Sequence, residues 1–326
     1  MPLLSVRHLT TVFPIAGHDV PAVEDVSFDI GRGETLALVG ESGSGKSVLA
    51  YSLMRLVPPP GRIATGELLL QGEDLRTLGE PAMDRVRGAR LSLIFQEPMS
   101  ALNPVLTIGA QLVDALTAHG RNSSSGRREA LDLLAAVRMD DPARRFSDFP
   151  HQLSGGLRQR ALIALALCCR PSLVIADEPT TALDVILQAE ILNLLRELKR
   201  DFGLSLLLVT HDLGVVAQTA DRVAVMYAGR IVEQAPVRRL FHAPAHPYTQ
   251  ALLRAMPGAS ASHGRLEAIV GQLPSLDRRP AGCAFAPRCT WRHEACDLAV
   301  PDLYDVDATQ VSRCLLVKEA AEVTRE

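Results

Sequence analysis

Lysine is nearly missing from this chain, which carries three lysines against 31 arginines in 326 residues. The arginines are dispersed and the formal net charge is −3, so nothing basic enough to favour nucleic acid as the main partner is present. Long apolar runs are also lacking. The most apolar stretch, Ala161 to Ala176, is broken by Arg170-Pro171 and falls short of a membrane span. The N-terminus, Met1-Pro2-Leu3-Leu4-Ser5-Val6-Arg7, has no basic segment leading into an apolar one, so no secretory signal is expected. Without secretion, the six cysteines do not suggest a disulfide framework. What remains is an ordinary globular composition, long enough for one large domain and a smaller one.

The most informative stretch is Gly40-Glu41-Ser42-Gly43-Ser44-Gly45-Lys46-Ser47. It follows the apolar run Leu36–Val39 and leads into Val48-Leu49-Ala50, a strand, glycine-rich loop and helix with the spacing of a P-loop. Glycines let successive backbone N–H groups curl round a phosphate, and the helix adds its positive N-terminal end. Lys46 is expected to bridge the β- and γ-phosphates, and the Ser47 hydroxyl to ligate Mg²⁺. The chain should therefore bind a nucleoside triphosphate.

Other residues fall into place around this loop. Phe13, one hairpin upstream, could stack on an adenine or simply be a hydrophobic strand residue. The strand Leu91–Phe95 delivers Gln96 at its end, where open α/β sheets place ligand contacts. From Ile108 to about Arg145 the pattern is helical, with a polar break at Gly120–Gly126, which suggests a helical insertion. Ser154 caps a helix whose first residues, Gly155 and Gly156, expose N–H groups: a second phosphate site or a bland helix start. The buried run Leu173–Ala176 ends in Asp177-Glu178, placing Asp177 to hold Mg²⁺ through water and Glu178 to polarise an attacking water. Another buried run, Leu204–Val209, carries His211 at its end, at the same end of an inferred parallel sheet, which suits a γ-phosphate contact.

These motifs, with Ala182-Leu183-Asp184, occur in the order and spacing of ABC-transporter ATPase subunits, which the chain resembles from about residue 3 to 240. Phe95-Gln96-Glu97-Pro98-Met99-Ser100-Ala101-Leu102-Asn103-Pro104, His246-Pro247-Tyr248-Thr249 and the cysteine-bearing tail look more narrowly like dipeptide/oligopeptide importer ATPases. The resemblance implies an α/β fold: a P-loop NTPase (RecA-like) parallel sheet core, an antiparallel β subdomain, an inserted helical subdomain at about 97–165, and a C-terminal extension at 241–326. It implies that Ser42, Gly43, Ser44 and the rest of the loop hold the local ATP, while Ser154, Gly155 and Gly156 serve a partner's ATP in a head-to-tail dimer. Gln96 would touch Mg²⁺ and the attacking water, and Asp184 would signal across the dimer. Implied partners are a paralogous ATPase, two membrane permease subunits and an extracytoplasmic substrate-binding protein. The site of action would be the cytoplasmic face of the membrane, with the subunit attached peripherally. Nickel chelates and glutathione stay open beside peptides as cargo, and a soluble ABC ATPase acting on nucleic acid is the more distant alternative.

In the tail, Cys283, Cys289, Cys296 and Cys314 follow the spacing C-x₅-C-x₆-C-x₁₇-C. Four cysteines so close together suggest a metal, and the absence of paired C-x₂₋₄-C knuckles argues against zinc. An iron–sulfur cluster tolerates looser spacing, and some importer ATPases of the resembled family hold a [4Fe–4S] cluster there. Zinc and free thiols remain as alternatives. The single tryptophan, Trp291, could shield such a cluster or merely pack.

Overall fold

The continuous apolar runs form fully buried strands. Leu91–Ile94 and Leu173–Asp177 pair in parallel, with Leu91 opposite Leu173 and Ile94 opposite Ala176, and every residue of both is buried. Strands covered on both faces need no polar alternation, which is why these segments read as unbroken hydrophobic sequence. The computed structural model describes residues 1–121, 123–181, 183–256 and 269–323. It divides into two units, one made of Met1–Leu4, Ile30–Thr35 and Leu69–Leu208, the other of Ser5–Asp29, Leu36–Leu68 and Val209–Glu326.

In the first unit the chain between the two parallel strands forms helices: Pro98–Ala101, Ile108–Ala118, Ser123–Ala136, Pro142–Ser147 and Gly155–Leu167. Leu112, Leu116, Ala130, Leu134, Leu162 and Ile163 form their buried faces. The polar stretch at 120–126 is not a break throughout, because Ser123–Gly126 begins a helix. The long helix Val185–Phe202 buries Ile191, Leu194, Leu195 and Leu198 and stops at Gly203, whose φ of +65° supplies the left-handed residue such an end requires.

The second unit holds a long hairpin, Leu4–Ile15 and His18–Ile30, turned through Ala16 and Gly17, both at positive φ. That is the turn geometry whose twist matches paired strands. The two strands are long, of 12 and 13 residues. Leu36–Val39 pairs in parallel with Arg222–Tyr227, which pairs antiparallel with Arg230–Pro236. The C-terminal segment then adds Val311–Ser312 to Arg230–Pro236 and Tyr304–Asp305 beyond it, both antiparallel. Ala37, Val39, Val216, Val223, Val225, Leu240, Tyr248 and Phe285 share one buried core, so part of the tail completes the interior of this unit.

A buried carboxylate organises that tail. Glu233 accepts hydrogen bonds from the N–H groups of Ala245 and His246, at 2.8 and 2.9 Å, and from the Gln310 amide at 2.7 Å. His246 caps the helix Pro247–Arg254, its Nδ1 accepting from the Tyr248 N–H at 3.0 Å. Burial pushes the His246 imidazole down to about 3, and the neighbouring Arg313 charge also disfavours its protonation. An unfolded histidine titrates near 6.5, so the contribution of this group is fully present above about pH 6.5 and is lost as the pH falls toward 3. The expected slope is about 1.4 kcal/mol per pH unit in that window. The urea midpoint should drop between pH 7 and pH 5, and His246→Asn should flatten that dependence. An unchanged slope in the variant would remove His246 from this role.

Candidate nucleotide site

In the second unit the buried strand end at Val39 runs into the loop, and the helix Lys46–Leu53 follows. Gly45 caps that helix at φ +105°, where a Cβ would lie 2.7 Å from the Ala22 carbonyl oxygen. At Gly40 a Cβ would collide with the Met226 carbonyl. Glycine at both positions is therefore a steric requirement. Lys46 is 4% exposed, and its Nζ donates to the carbonyls of Gly40 and Glu41 at 2.8 and 2.9 Å, drawing the loop into a ring. The Ser44 N–H donates to the Glu41 carbonyl, and the Ser44 carbonyl accepts from Gly229, at 3.1 and 2.8 Å. Ser42 and Gly43 are exposed at the rim, Ser47 is half-buried, and the Ser44 Oγ is buried with no hydrogen-bond partner among the described residues.

Elsewhere in this unit, His211 is exposed just past the strand Ser205–Thr210, and the next residue, Asp212, caps the helix Leu213–Thr219. Phe13 lies in the first long strand, half-buried, with its ring edge so close to Gly61 that no Cβ would fit there.

In the first unit, strand register does the positioning. Since Ile94 stands opposite Ala176, the residues two further on, Gln96 and Glu178, emerge side by side. The Gln96 Nε2 donates to Glu178 Oε2 at 3.2 Å, and Thr181 Oγ1 donates to the same oxygen at 2.8 Å. Glu178 has φ +46°, a left-handed conformation that costs a non-glycine residue about 1–2 kcal/mol. It turns the chain sharply as it leaves the strand. Asp177, just before it, is 1% exposed. Ser154 caps the helix Gly155–Leu167, its hydroxyl accepting from the Leu157 N–H at 3.4 Å, and Ser154 and Gly155 are exposed at that start while Gly156 is buried. Asp184 caps the helix Val185–Phe202 through the N–H groups of Ile186 and Leu187, at 3.0 and 2.9 Å. Ala182 lies outside the described residues.

The cysteines depart from expectation. Burial raises the thiols of Cys283 and Cys289, and pushes Cys314 up to about 11, with the other three tail cysteines adding to the Cys314 shift. These thiols are neighbours, yet among the described residues no three His, Cys, Asp or Glu side chains are grouped to hold a metal. The four thiols are free and half-buried. The expected [4Fe–4S] cluster, and zinc, therefore find no support in the described residues. Trp291 is 59% exposed, and its backbone N–H donates to the Cys289 Sγ at 3.4 Å. Of the two remaining cysteines, Cys168 is buried and Cys169 half-buried.

A nucleoside triphosphate with Mg²⁺ does fit. The loop presents backbone N–H groups, an ammonium and a buried unpartnered hydroxyl, which a phosphate oxygen would satisfy. Ser47 in the second unit, and Gln96 and Asp177 in the first, each carry an oxygen donor of the kind Mg²⁺ takes. Sequence reading missed Thr181 beside Glu178, the strained backbone of Glu178, and the partners of Glu41 described below. Only Tyr248 among them carried a signal, through its place in His246-Pro247-Tyr248-Thr249.

A family model for ABC transporters matches residues 23–181, and one for the oligopeptide/dipeptide transporter C-terminal region matches residues 232–296. An ATP-binding protein of Brucella ovis assigned to peptide import is 50% identical over 98% of this chain and 98% of its own length. The dipeptide transport ATP-binding protein DppD of Bacillus subtilis is 47% identical over 98% of this chain and 96% of its own. Among solved structures, a dimeric ATP-binding cassette in a post-hydrolysis state with ADP and Pi superposes with a TM-score of 0.65 at 26% identity, over 72% of this chain and 99% of that one. None of these three is named for nickel chelates, glutathione or nucleic acid. Among the described residues no helix is long and apolar enough to cross a membrane. The chain has the cassette fold of a P-loop ATPase, and it belongs to the ABC-transporter ATP-binding proteins, in the branch that serves peptide import.

Proposed function

We propose that this chain hydrolyses ATP to energise import of di- or oligopeptides through two separate membrane permease subunits, fed by an extracytoplasmic substrate-binding protein. Residues 1–240 form the ATPase part and 241–326 the extension. The subunit acts at the cytoplasmic face of the membrane, attached through the permeases. The observation that carries the chemistry is the register that sets Gln96 and Glu178 side by side at the ends of two buried parallel strands.

In this reading Gly40–Ser47 binds the phosphates, Lys46 the β- and γ-phosphates, and His211 the γ-phosphate. Glu178 takes up the proton of the attacking water, and Gln96 and Thr181 fix the carboxylate that does so. Ser47, Gln96 and Asp177 would hold Mg²⁺, which neutralises charge on the phosphate oxygens when bound. Phe13 stacks on the adenine. Ser154, Gly155 and Gly156 present a helix N-terminus to the ATP of a second, paralogous ATPase subunit, and the exposed start at Ser154 and Gly155 supports that role. Asp184, at the head of the long helix with Val185 and Ile186 exposed beside it, transmits closure between the two subunits. A solved cassette that is dimeric with ADP and Pi supports the paired arrangement.

The test is reconstitution. This chain, its paralogous partner and the two permeases in liposomes should hydrolyse ATP faster when the binding protein is loaded with peptide, and should accumulate that peptide. Stimulation by a nickel chelate or glutathione alone, with peptides inert, would overturn the cargo assignment.

A further inference from the structure

Glu41 sits in the phosphate-binding loop at a position whose side chain the loop's geometry leaves unspecified, yet three different side chains hold it. Its carbonyl accepts from Lys46 within the loop. Its N–H donates to the Tyr248 hydroxyl at 2.9 Å. Both of its carboxylate oxygens accept from Arg288 Nη1, each at 3.0 Å. Tyr248 and Arg288 belong to the C-terminal part of the chain, on the helix Pro247–Arg254 and the short 3-10 turn Ala286–Arg288.

Neither side chain is free to swing. The Arg288 side chain is 5% exposed, against 27% for Glu41. Its Nε donates to the Val270 carbonyl at 3.0 Å and its Nη1 to the Tyr227 hydroxyl at 3.3 Å. Tyr248 is fully buried, and its ring meets those of Tyr227 and Phe285 at centroid separations of 4.5 and 5.4 Å. An exposed ion pair is worth little, because water screens it and both side chains must be ordered. Here the guanidinium is ordered already and shielded on most sides, so the pair can fix a backbone.

We propose that Arg288 and Tyr248 are positioning residues for nucleotide binding. They hold Glu41 so that the carbonyls of Gly40 and Glu41 stay placed for Lys46, and the loop is ordered before a phosphate arrives. Affinity rises when a binding loop does not have to be ordered by its ligand. The inference rests on the reading of Gly40–Ser47 as the ATP site, and assigns the C-terminal extension a part in it.

The experiment titrates the full-length chain with the fluorescent analogue trinitrophenyl-ATP and Mg²⁺, in parallel with thermal melts. Arg288→Met should raise the dissociation constant about tenfold and Glu41→Gln about threefold, the loss expected for a shielded, charge-assisted contact. Arg288→Lys should recover part of the loss, since it keeps the charge but not the fork. Tyr248→Phe should weaken binding by less than Arg288→Met. The double variant of Glu41→Gln and Arg288→Met should bind about as weakly as the worse single one, because both remove the same contact. A merely structural role would lower the melting temperature and the fraction of competent protein while that fraction kept the parent affinity; such a result overturns the proposal. Effects that multiply in the double variant overturn it too. Lys46→Ala separates the two readings. If it abolishes binding while the Arg288 and Glu41 variants match the parent, the positioning role alone fails; if Lys46→Ala binds normally, both fall.

Discussion

Glu178→Gln should leave nucleotide binding intact and reduce steady-state hydrolysis by about 10²–10⁴-fold, the range spanned by a positioned general base. Glutamine keeps the shape of the side chain and an oxygen that can still accept from Gln96 and Thr181, so the local hydrogen bonds survive. What disappears is the negative charge and the ability to take up a proton from water. The bound ATP then persists, and the paired subunits should accumulate closed. Single-turnover hydrolysis and size-exclusion chromatography with ATP measure both effects. Parental turnover in the variant would strip Glu178 of its assigned role. Thr181→Ala is a gentler probe of the same oxygen: it should slow hydrolysis through misplacement while leaving ATP affinity unchanged.

Lys46→Ala should cost at least about 10²-fold in ATP affinity, by loss of charge-assisted hydrogen bonds from an ammonium to phosphate. The structure adds a second reason. Lys46 Nζ gathers the carbonyls of Gly40 and Glu41, so its removal also loosens the ring of backbone that would receive the phosphates. Isothermal titration calorimetry with ATP and Mg²⁺ gives the affinity directly. An unaltered dissociation constant would mean that the loop does not bind the triphosphate. Hydrolysis measured at saturating ATP separates this variant from Glu178→Gln, which should bind ATP yet fail to turn it over.

Much of this arrangement was legible in the residues because it is local. A glycine loop between an apolar run and a helix needs only a dozen consecutive positions to declare itself. Continuous apolar runs ending in Gln96 and Asp177-Glu178 announced parallel strands, and parallel strands place polar residues together at one end. Less was legible where tertiary contacts decide. The serine run at 123–126 reads as a break by composition, but it starts a helix. Nothing local foretold that Glu41 would meet Arg288, since the partners lie 247 residues apart and neither belongs to a periodic pattern. Asp184 shows the intermediate case, its capping role foreseeable from its place before a helix and any role across a dimer from resemblance alone.

The strand Arg230–Pro236 has a further consequence for how the molecule behaves in a crowded solution. One side of it pairs with Arg222–Tyr227; the other would present a row of unsatisfied backbone groups to any passing chain. Val311–Ser312 occupies part of that side, and Tyr304–Asp305 forms the next layer out. Each of these outer strands is only two residues long, too short to template the addition of a foreign strand. The tail therefore also acts as a selvedge, finishing the sheet so that it does not recruit its neighbours into aggregates.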